Sequence, residues 1–358
     1  MERKQYIDVL RSIAILFMIE VHTSAQLAPS NISEDSLIAL IVASIGGLAA
    51  PLFVTLSGWG TQHSLINKSA NNDLEKSIVY WATSRFIFLI GCQLIVNLIA
   101  SHVFNWYTPG VLSLLALCTL LAVPLSKIKL KTKIWFLLFV SFTPIINSYF
   151  LNLNGEWSHI INANSTFEWL DRLIFSGTYP LFPWLSFFLL GGIIRDSGKS
   201  LNYKLMNFGI FMSISFILYS ILTNTKWATT TGDAMLTFFP ASIAFIITAN
   251  TTVLILFMLL QKFESKLKAS KIMNGFSKIG NLSLTIYILH FIPLRLLDIL
   301  NLNEWTLLEA IIITLFFTFI WWPLSLIHNK SFKKYSFESL LKLVSAKKNI
   351  PSTSVRET

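Results

Sequence analysis

Four basic side chains stand in stretches of sequence that are otherwise apolar. Arg11 and His22 are separated by three helical turns, so they share one helix face to within about 20° and lie roughly 16 Å apart along the axis. His290 closes a segment that starts near Lys278, roughly 18 Å away by helical rise, and Arg85 lies in another apolar run. An imidazole in such a place suits proton transfer, and a guanidinium suits a phosphate-bearing ligand.

Each of these residues also has a structural interpretation. Charge inside hydrocarbon costs several kcal/mol, so it is usually paired or functional. Arg11 could reach lipid phosphates, and His22 could be hydrogen-bonded within a helix bundle. Arg85 could pair with Asp8 or Glu75. The sequence contains no HExxH, CxxC, P-loop or GxSxG pattern, so we predict no metal site and no such catalytic motif.

The composition indicates that the elements holding these side chains are membrane helices. Hydrophobic residues make up 54% of the 358 residues and charged residues 13%, whereas an average globular domain carries roughly 25% charged residues. A soluble fold could not cover that much apolar surface. In a soluble protein the net charge of +10 would suggest nucleic acid as a partner. Here the basic residues mark one side of a membrane, so we predict an all-α polytopic membrane protein with no nucleic-acid partner.

Runs of about 20 apolar residues can cross a bilayer, and about ten such runs are present. The predicted spans are residues 7–26, 37–60, 77–103, 109–126, 133–151, 180–195, 205–223, 234–261, 279–299 and 305–327. The first could be a cleaved signal peptide, but we expect a retained span, because Arg11 and Glu20 interrupt it and it is too long. The sixth is short and the eighth is long, so we expect a tilt or a break there.

Lysine and arginine are concentrated in alternate connections between these spans. They lie at residues 3–4, 68–76, 127–133, 195–204 and 262–278 and in the tail from Lys330 onward. The opposite side has Arg172, Lys226 and Arg295. Because positive charge stays on the cytoplasmic side, both termini are predicted to be cytoplasmic.

The chain is therefore divided into a transmembrane domain, residues 1–328, and a basic cytoplasmic tail, residues 329–358. Within the tail, Phe332–Val344 could form an amphipathic helix on the anionic inner leaflet. A plain solvated tail is the alternative.

Five stretches resemble, in order along the chain, known membrane acyltransferases. Two are similar to the first helices of the acyltransferase-3 type, and three are similar to the related heparan-alpha-glucosaminide N-acetyltransferase-like group. The first two are Ile7–His22 and Pro51–Gly58, and the other three are Gly110–Leu117, Tyr179–Leu185 with 191–192, and Gly280–His290.

The resemblance implies a core of about ten helices that takes acetyl-CoA from the cytoplasm and acetylates a surface glycan on the far side. It further implies that Arg11 contacts CoA and that His22 acts in acetyl transfer. Two positions depart from the family patterns: Ser113 stands where the heparan-type group often has His, and Phe88 where the acyltransferase-3 pattern often has a second Arg.

We therefore predict an inner-membrane O-acetyltransferase acting on a cell-envelope carbohydrate such as lipopolysaccharide O-antigen. His22 is expected to be the general base, and His290 to orient the acceptor or hold the developing oxyanion. Arg11 and Arg85 are expected to bind CoA phosphates, and Ser57, in a stretch of small residues, to line the CoA channel. Direct transfer and an acetyl-histidine route both stay open, as does the oligomeric state.

Two other classes of protein compete with this prediction. A transporter or flippase for a polar or lipid-linked sugar would also carry intramembrane Arg and His. Such proteins often show inverted repeats and paired broken helices, which the sequence does not display. A structural membrane subunit would leave Arg11 and His22 unexplained.

Overall fold

The structure is a computed structural model that describes residues 4–29, 32, 36–70, 75–150, 156–232, 234–300, 304–332 and 334–346, with residues 148–150 described by their backbone alone. Within these ranges most of the chain is helical. The helices are α1 Gln5–Gln26, α2 Leu37–Ala70, α3 Glu75–Ile99, α4 Val111–Ser126, α5 Leu130–Phe150, α6 Trp157–Ile161, α7 Thr166–Asp171, α8 Leu181–Asp196, α9 Lys199–Thr223, α10 Ile243–Lys262, α11 Glu264–Ala269, α12 Lys271–Gly280, α13 Ser283–Leu289, α14 Phe291–Ile299, α15 Leu307–Phe319, α16 Trp321–Ser331 and α17 Phe337–Val344.

Two short elements complete the described ranges. A π-helical turn, Arg172–Ser176, follows α7. Strands β1 (Ala228–Thr231) and β2 (Leu236–Phe239) pair in parallel, with Ala228 opposite Leu236.

Every predicted span overlaps a helix or consecutive helices, and the protein is a helical membrane protein. By length and composition, five described helical segments can cross a membrane: Leu37–Ala70, Glu75–Ile99, Lys199–Thr223, Ile243–Lys262 and Leu307–Ser331, the last of which is α15 and α16 together. Two bent helix pairs raise this number to seven. Helix α1 is not among them, because Arg11, Glu20 and His22 interrupt its apolar run. The count of ten spans stays a prediction.

The predicted sixth span belongs to one of the bent pairs. Residues Thr166–Ser176 and Leu181–Asp196 meet at 44°, which agrees with the expectation of a tilt or a break. The predicted eighth span begins too early. Residue 234 precedes β2, and the helix starts only at Ile243, where the Ser242 hydroxyl accepts a hydrogen bond from the Phe245 backbone N–H.

The prediction of one continuous ninth helix up to His290 is wrong. Helix α12 ends at Gly280, and the helices that follow it run at 60° to it. At the break, the Ser12 hydroxyl of α1 accepts a hydrogen bond from the Gly280 N–H at 2.9 Å and donates one to the Phe276 carbonyl at 2.9 Å. The break therefore fits α12 tightly against α1.

Helix α1 lies in the middle of the bundle. Leu10, Ala14 and Ile15 are fully buried, in contacts with α2, α10, α12 and α15. Small residues bring other helices close. A Cβ on Gly58 of α2 would collide with the Phe188 carbonyl of α8. Close packing by small residues is typical of membrane helices, and it keeps the bundle compact around α1.

The connections between helices gather at two ends of the bundle. At one end, which we call the basic end, Lys133 bridges to Asp196 at 2.8 Å, and Gln62 donates to the same carboxylate. At the other, the far end, the Thr108 hydroxyl donates to the Ile161 carbonyl at 3.1 Å. These contacts join alternate connections of the chain, whereas the assignment of either end to a side of the membrane stays a prediction.

The tail contains a helix that packs on the protein. In α17, Leu341 is buried and Phe337 packs against the core. The alternative of a plain solvated tail is therefore wrong for this segment, although residues 347–358 lie outside the described residues. Contact of α17 with the inner leaflet stays a prediction.

Candidate functional site

His22 and His290 meet inside the bundle. His22 Nδ1 lies 2.8 Å from His290 Nε2, and the two rings are nearly parallel, with an interplanar angle of 6°. His290 is 2% exposed and lies at the junction of α13 and α14. The two imidazoles therefore lie at one level of the bundle, even though the rise calculated from Lys278 to His290 assumed an unbroken helix.

Hydrogen bonding fixes which nitrogen atom of each neutral ring carries the proton. His290 Nδ1 lies 3.2 Å from the Ile286 carbonyl oxygen, which can only accept, so Nδ1 is the protonated nitrogen. His290 Nε2 then has the lone pair, and His22 Nδ1 must donate to it. The consequence is that His22 Nε2 has a free lone pair, so it can accept a proton or act as a nucleophile.

Aromatic side chains surround the two imidazoles. The Phe291 ring centroid lies 5.0 Å from that of His22 and 4.1 Å from that of His290. The Tyr287 ring lies 5.8 Å from His290 and 6.2 Å from Phe53. Such packing keeps bulk water away from the histidines and strengthens electrostatic interactions there.

A cavity of about 690 Å³ opens at the basic end. Arg11, Ser57 and Arg85 line it, so three of the five predicted site residues share one space. The other two, His22 and His290, are not among its lining residues. Ser57 lies in the same stretch of α2 whose Gly58 packs on α8, so this stretch lines the cavity and also allows close helix packing. Its contact with CoA stays a prediction.

Positive charge predominates in this cavity. Lys4 and Lys342 line it together with the two arginines, and its acidic lining residues are Asp8 and Glu338. Arg11 forms an ion pair with Asp8 at 3.5 Å. A cavity of this charge suits an anionic ligand.

The structural interpretation of Arg85 as an ion-pair partner is wrong. Asp8 is paired with Arg11, and Glu75 with Lys127 at 2.5 Å. Arg85 instead places its guanidinium carbon 5.1 Å from the centroid of the Trp81 ring, and its buried Nε has no hydrogen-bond partner among the described residues. A buried guanidinium with an unused donor is the residue type that binds phosphate or carboxylate.

One aromatic layer separates the cavity from the histidines. Phe53 lines the cavity, its ring stacks on Tyr287, and Tyr287 contacts His290. Because eleven residues of α1 separate Arg11 from His22, the two sites are roughly 16 Å apart along the helix.

Sequence reasoning missed the contribution of the tail to this cavity. Glu338 and Lys342 line it from α17, and His328 lines it from the end of α16. The available signal was the apolar pair Phe337 and Leu341, four residues apart, which indicates a helix face that packs on something. The pattern alone does not say whether that partner is lipid or protein. Among the described residues, no group of three or more His, Cys, Asp or Glu could hold a metal ion.

Comparison with known families gives one match. The family model of the heparan-alpha-glucosaminide N-acetyltransferase catalytic domain matches residues 3–201, more than half of the chain. The range includes Arg11, His22, Ser57 and Arg85, whereas His290 lies beyond it. No curated protein matches the chain significantly, and the acyltransferase-3 resemblance stays a prediction. The chain therefore belongs to the family of the heparan-alpha-glucosaminide N-acetyltransferase catalytic domain, and the activity that this family implies is acetyl transfer.

Proposed function

We propose that this protein transfers an acetyl group from cytoplasmic acetyl-CoA to a hydroxyl of a cell-envelope carbohydrate, such as lipopolysaccharide O-antigen, on the outer side of the inner membrane. The observation that carries the proposal is the arrangement along α1. A cationic cavity at the basic end contains Arg11, and the buried pair formed by His22 and His290 lies about three helical turns further on. An enzyme that works across a membrane needs donor binding and chemistry at different depths.

The positive-inside rule gives the orientation of the proposed enzyme. The basic end faces the cytoplasm, because short cytoplasmic loops are enriched in Lys and Arg. In this proposal about ten helices or helix pairs cross the membrane, and both termini are cytoplasmic. The far end then presents the acceptor side to the outer compartment.

The cavity residues suit the phosphate-bearing part of CoA. Arg11 and Arg85 offer guanidinium donors for phosphate oxygens, and Ser57 offers a hydroxyl beside the arm that carries the thioester. A volume of about 690 Å³ falls within the usual range of small-molecule pockets, roughly 300–1,000 Å³. The rise of roughly 16 Å between Arg11 and His22 is comparable to the length of the pantetheine arm.

His22 Nε2 takes the proton of the acceptor hydroxyl while the hydroxyl oxygen attacks the thioester carbonyl carbon. A carbon–oxygen bond forms, the carbon–sulfur bond breaks, and the proton passes from His22 to the departing CoA sulfur. His290 holds His22 in the required tautomer. This replaces the expectation that His290 orients the acceptor or holds the oxyanion, because both of its ring nitrogens are used by Ile286 and His22. In an acetyl-histidine route the same Nε2 lone pair would attack first.

Acetyl transfer by the purified protein tests the proposal. We expect the detergent-solubilised protein to move radiolabelled acetyl from acetyl-CoA to extracted envelope glycan, and the label to be released by mild alkali, which cleaves acetyl esters and leaves acetyl amides intact. An alkali-stable label would assign the acceptor as an amine. Neither transfer nor acetyl-CoA hydrolysis by folded protein would argue for a transporter of a polar or lipid-linked sugar instead.

A further inference from the structure

We propose that α17 forms one wall of the donor site and that Lys342 on this helix binds a phosphate of CoA. The inference rests on the proposed function, because it assumes that the cavity at the basic end holds CoA. It assigns to the tail a direct part in substrate binding. The argument rests on how α17 is attached and on which of its faces meets the cavity.

A carboxylate fastens α17 to the break in the ninth span. Glu338 Oε1 accepts hydrogen bonds from the backbone N–H groups of Leu284 at 2.7 Å and Thr285 at 3.2 Å. The Thr285 hydroxyl donates to Glu338 Oε2 at 2.6 Å. Glu338 thus satisfies backbone donors that the break at residues 281–282 leaves without helical partners.

The first turn of α17 adds one further attachment and a helix cap. The Phe337 N–H donates to the Thr285 hydroxyl at 2.9 Å. The Ser336 hydroxyl caps the helix by accepting from the Ser339 N–H at 3.1 Å. Phe337 packs against the core and Leu341 is buried in it. The position of α17 is therefore specified by both polar and apolar contacts.

Besides the face that packs on the core, α17 has a polar face at the cavity and an exposed apolar face. Ser339 and Lys342 line the cavity, whereas Leu340, Leu343 and Val344 are exposed by 48%, 71% and 45%. A helix beside water would turn its polar side outward. This arrangement is favourable if the exposed face meets lipid and the polar face meets an anionic ligand. Lys342 is then one of four cationic side chains that line one space.

The first experiment measures whether CoA covers the polar face of α17. A single cysteine is introduced by Ser339→Cys, and its alkylation by a charged maleimide is followed with and without CoA. The native Cys92 and Cys118 are buried, so we expect them to contribute little to the measured alkylation. We expect CoA to slow the alkylation at least several-fold. Tyr335→Cys is the matched control, because Tyr335 is 79% exposed and does not line the cavity; its alkylation should not change.

The second experiment measures CoA affinity by isothermal titration of the full-length protein. Lys342→Ala should weaken CoA binding about tenfold, or about 1.4 kcal/mol. The matched control is Lys334→Ala, an exposed lysine of the same tail that does not line the cavity. Glu338→Gln should also weaken CoA binding and should speed the alkylation of Ser339→Cys, because α17 is then held less firmly to Leu284 and Thr285.

The outcomes separate this inference from the proposed function. If the folded wild-type protein does not bind CoA, both are overturned. The role of α17 alone is overturned by a different set of results. In that case the wild-type protein binds CoA and Arg11→Ala weakens the binding, which supports the donor site. Lys342→Ala, however, leaves the affinity unchanged, and CoA does not slow the alkylation of Ser339→Cys.

Discussion

His22 and His290 are 268 positions apart in the chain and share one hydrogen bond. The carbonyl of Ile286 sets the direction of that bond, because it can only accept from His290 Nδ1. A backbone group of α13 thereby determines which nitrogen of a side chain on α1 is basic. The two histidines should consequently respond differently to substitution.

Removing the His22 imidazole should separate chemistry from binding. His22→Ala takes away the proposed base and leaves the cavity residues in place, so CoA affinity should be kept. Acetyl transfer should fall by about 100-fold or more, the usual effect of losing a general base. Isothermal titration and a transfer assay on the same preparation measure the two effects. Near wild-type transfer by His22→Ala would move the catalytic role to another residue, with His290 as the next candidate.

The role of His290 should depend on its ability to accept a hydrogen bond. His290→Ala leaves His22 Nδ1 without its partner, so we expect acetyl transfer to fall by about tenfold or more and CoA affinity to change little. His290→Gln, whose amide oxygen can accept from His22, should keep more activity than His290→Ala. Transfer rates of the two variants at saturating acetyl-CoA test this. Equal losses of transfer rate in the two variants would contradict the proposal that His290 sets the tautomer of His22.

Two arginines should carry much of the CoA affinity. Arg11→Ala and Arg85→Ala each remove a charge-assisted contact, so each should weaken CoA binding by about 1.5–3 kcal/mol. Arg295→Ala is the control, because Arg295 is paired with Asp298 at 2.5 Å and does not line the cavity. Unchanged affinity in folded Arg11→Ala would favour contact with lipid phosphates.

At the scale of elements, the break between α12 and α13 decides the geometry of the site. Apolar residues recur through residues 279–289, and for this reason the sequence predicted one helical span there. Gly280 and Asn281 were the only local signals of a break. The deciding contacts come from α1, where Ser12 bonds both Phe276 and Gly280, and contacts over such a sequence separation cannot be read from a helical period.

A side chain at the break should disturb α1. In Gly280→Ala the new Cβ would collide with the Asp8 carbonyl and lie 2.9 Å from Arg11 Cβ. We expect a loss of about 1–3 kcal/mol in the free energy of unfolding, as for overpacking elsewhere, together with weaker CoA binding. Gly198→Ala is the control, because nothing lies within 4 Å of its Cβ. Thermal unfolding in detergent compares the two, and equal stability would contradict the close approach.

Sequence reasoning predicted best where residues are close together in the chain. The shared face of Arg11 and His22 follows from helical period alone, and both residues do lie on one helix, α1. The meeting of His22 with His290 and the packing of α17 over the cavity depend on tertiary contacts. For the tail, the sequence suggested an amphipathic helix over Phe332–Val344 on the inner leaflet or a solvated tail, and neither interpretation included packing on the protein.

At the scale of the whole molecule, the charge alternation predicts which end faces which compartment. Cysteines placed at Asn164, in the connection before α7, and at Ser270, between α11 and α12, report the two ends. A membrane-impermeant thiol reagent added outside intact cells should modify position 164 and spare position 270. The reverse pattern would place the cationic cavity on the outer side and exclude a cytoplasmic donor.

The aromatic layer of Phe53 and Tyr287 has a bioenergetic consequence. A cavity that is wet from the cytoplasm and an acceptor site that is open to the other compartment would together form a pore across an energised membrane. The ring centroids of Phe53 and Tyr287 are 6.2 Å apart, which leaves little room for a continuous row of water molecules or ions between them. In the proposed enzyme the layer that the acetyl group must reach or pass would therefore also act as an electrical insulator, and it would let the cell keep its proton gradient while a two-carbon unit crosses.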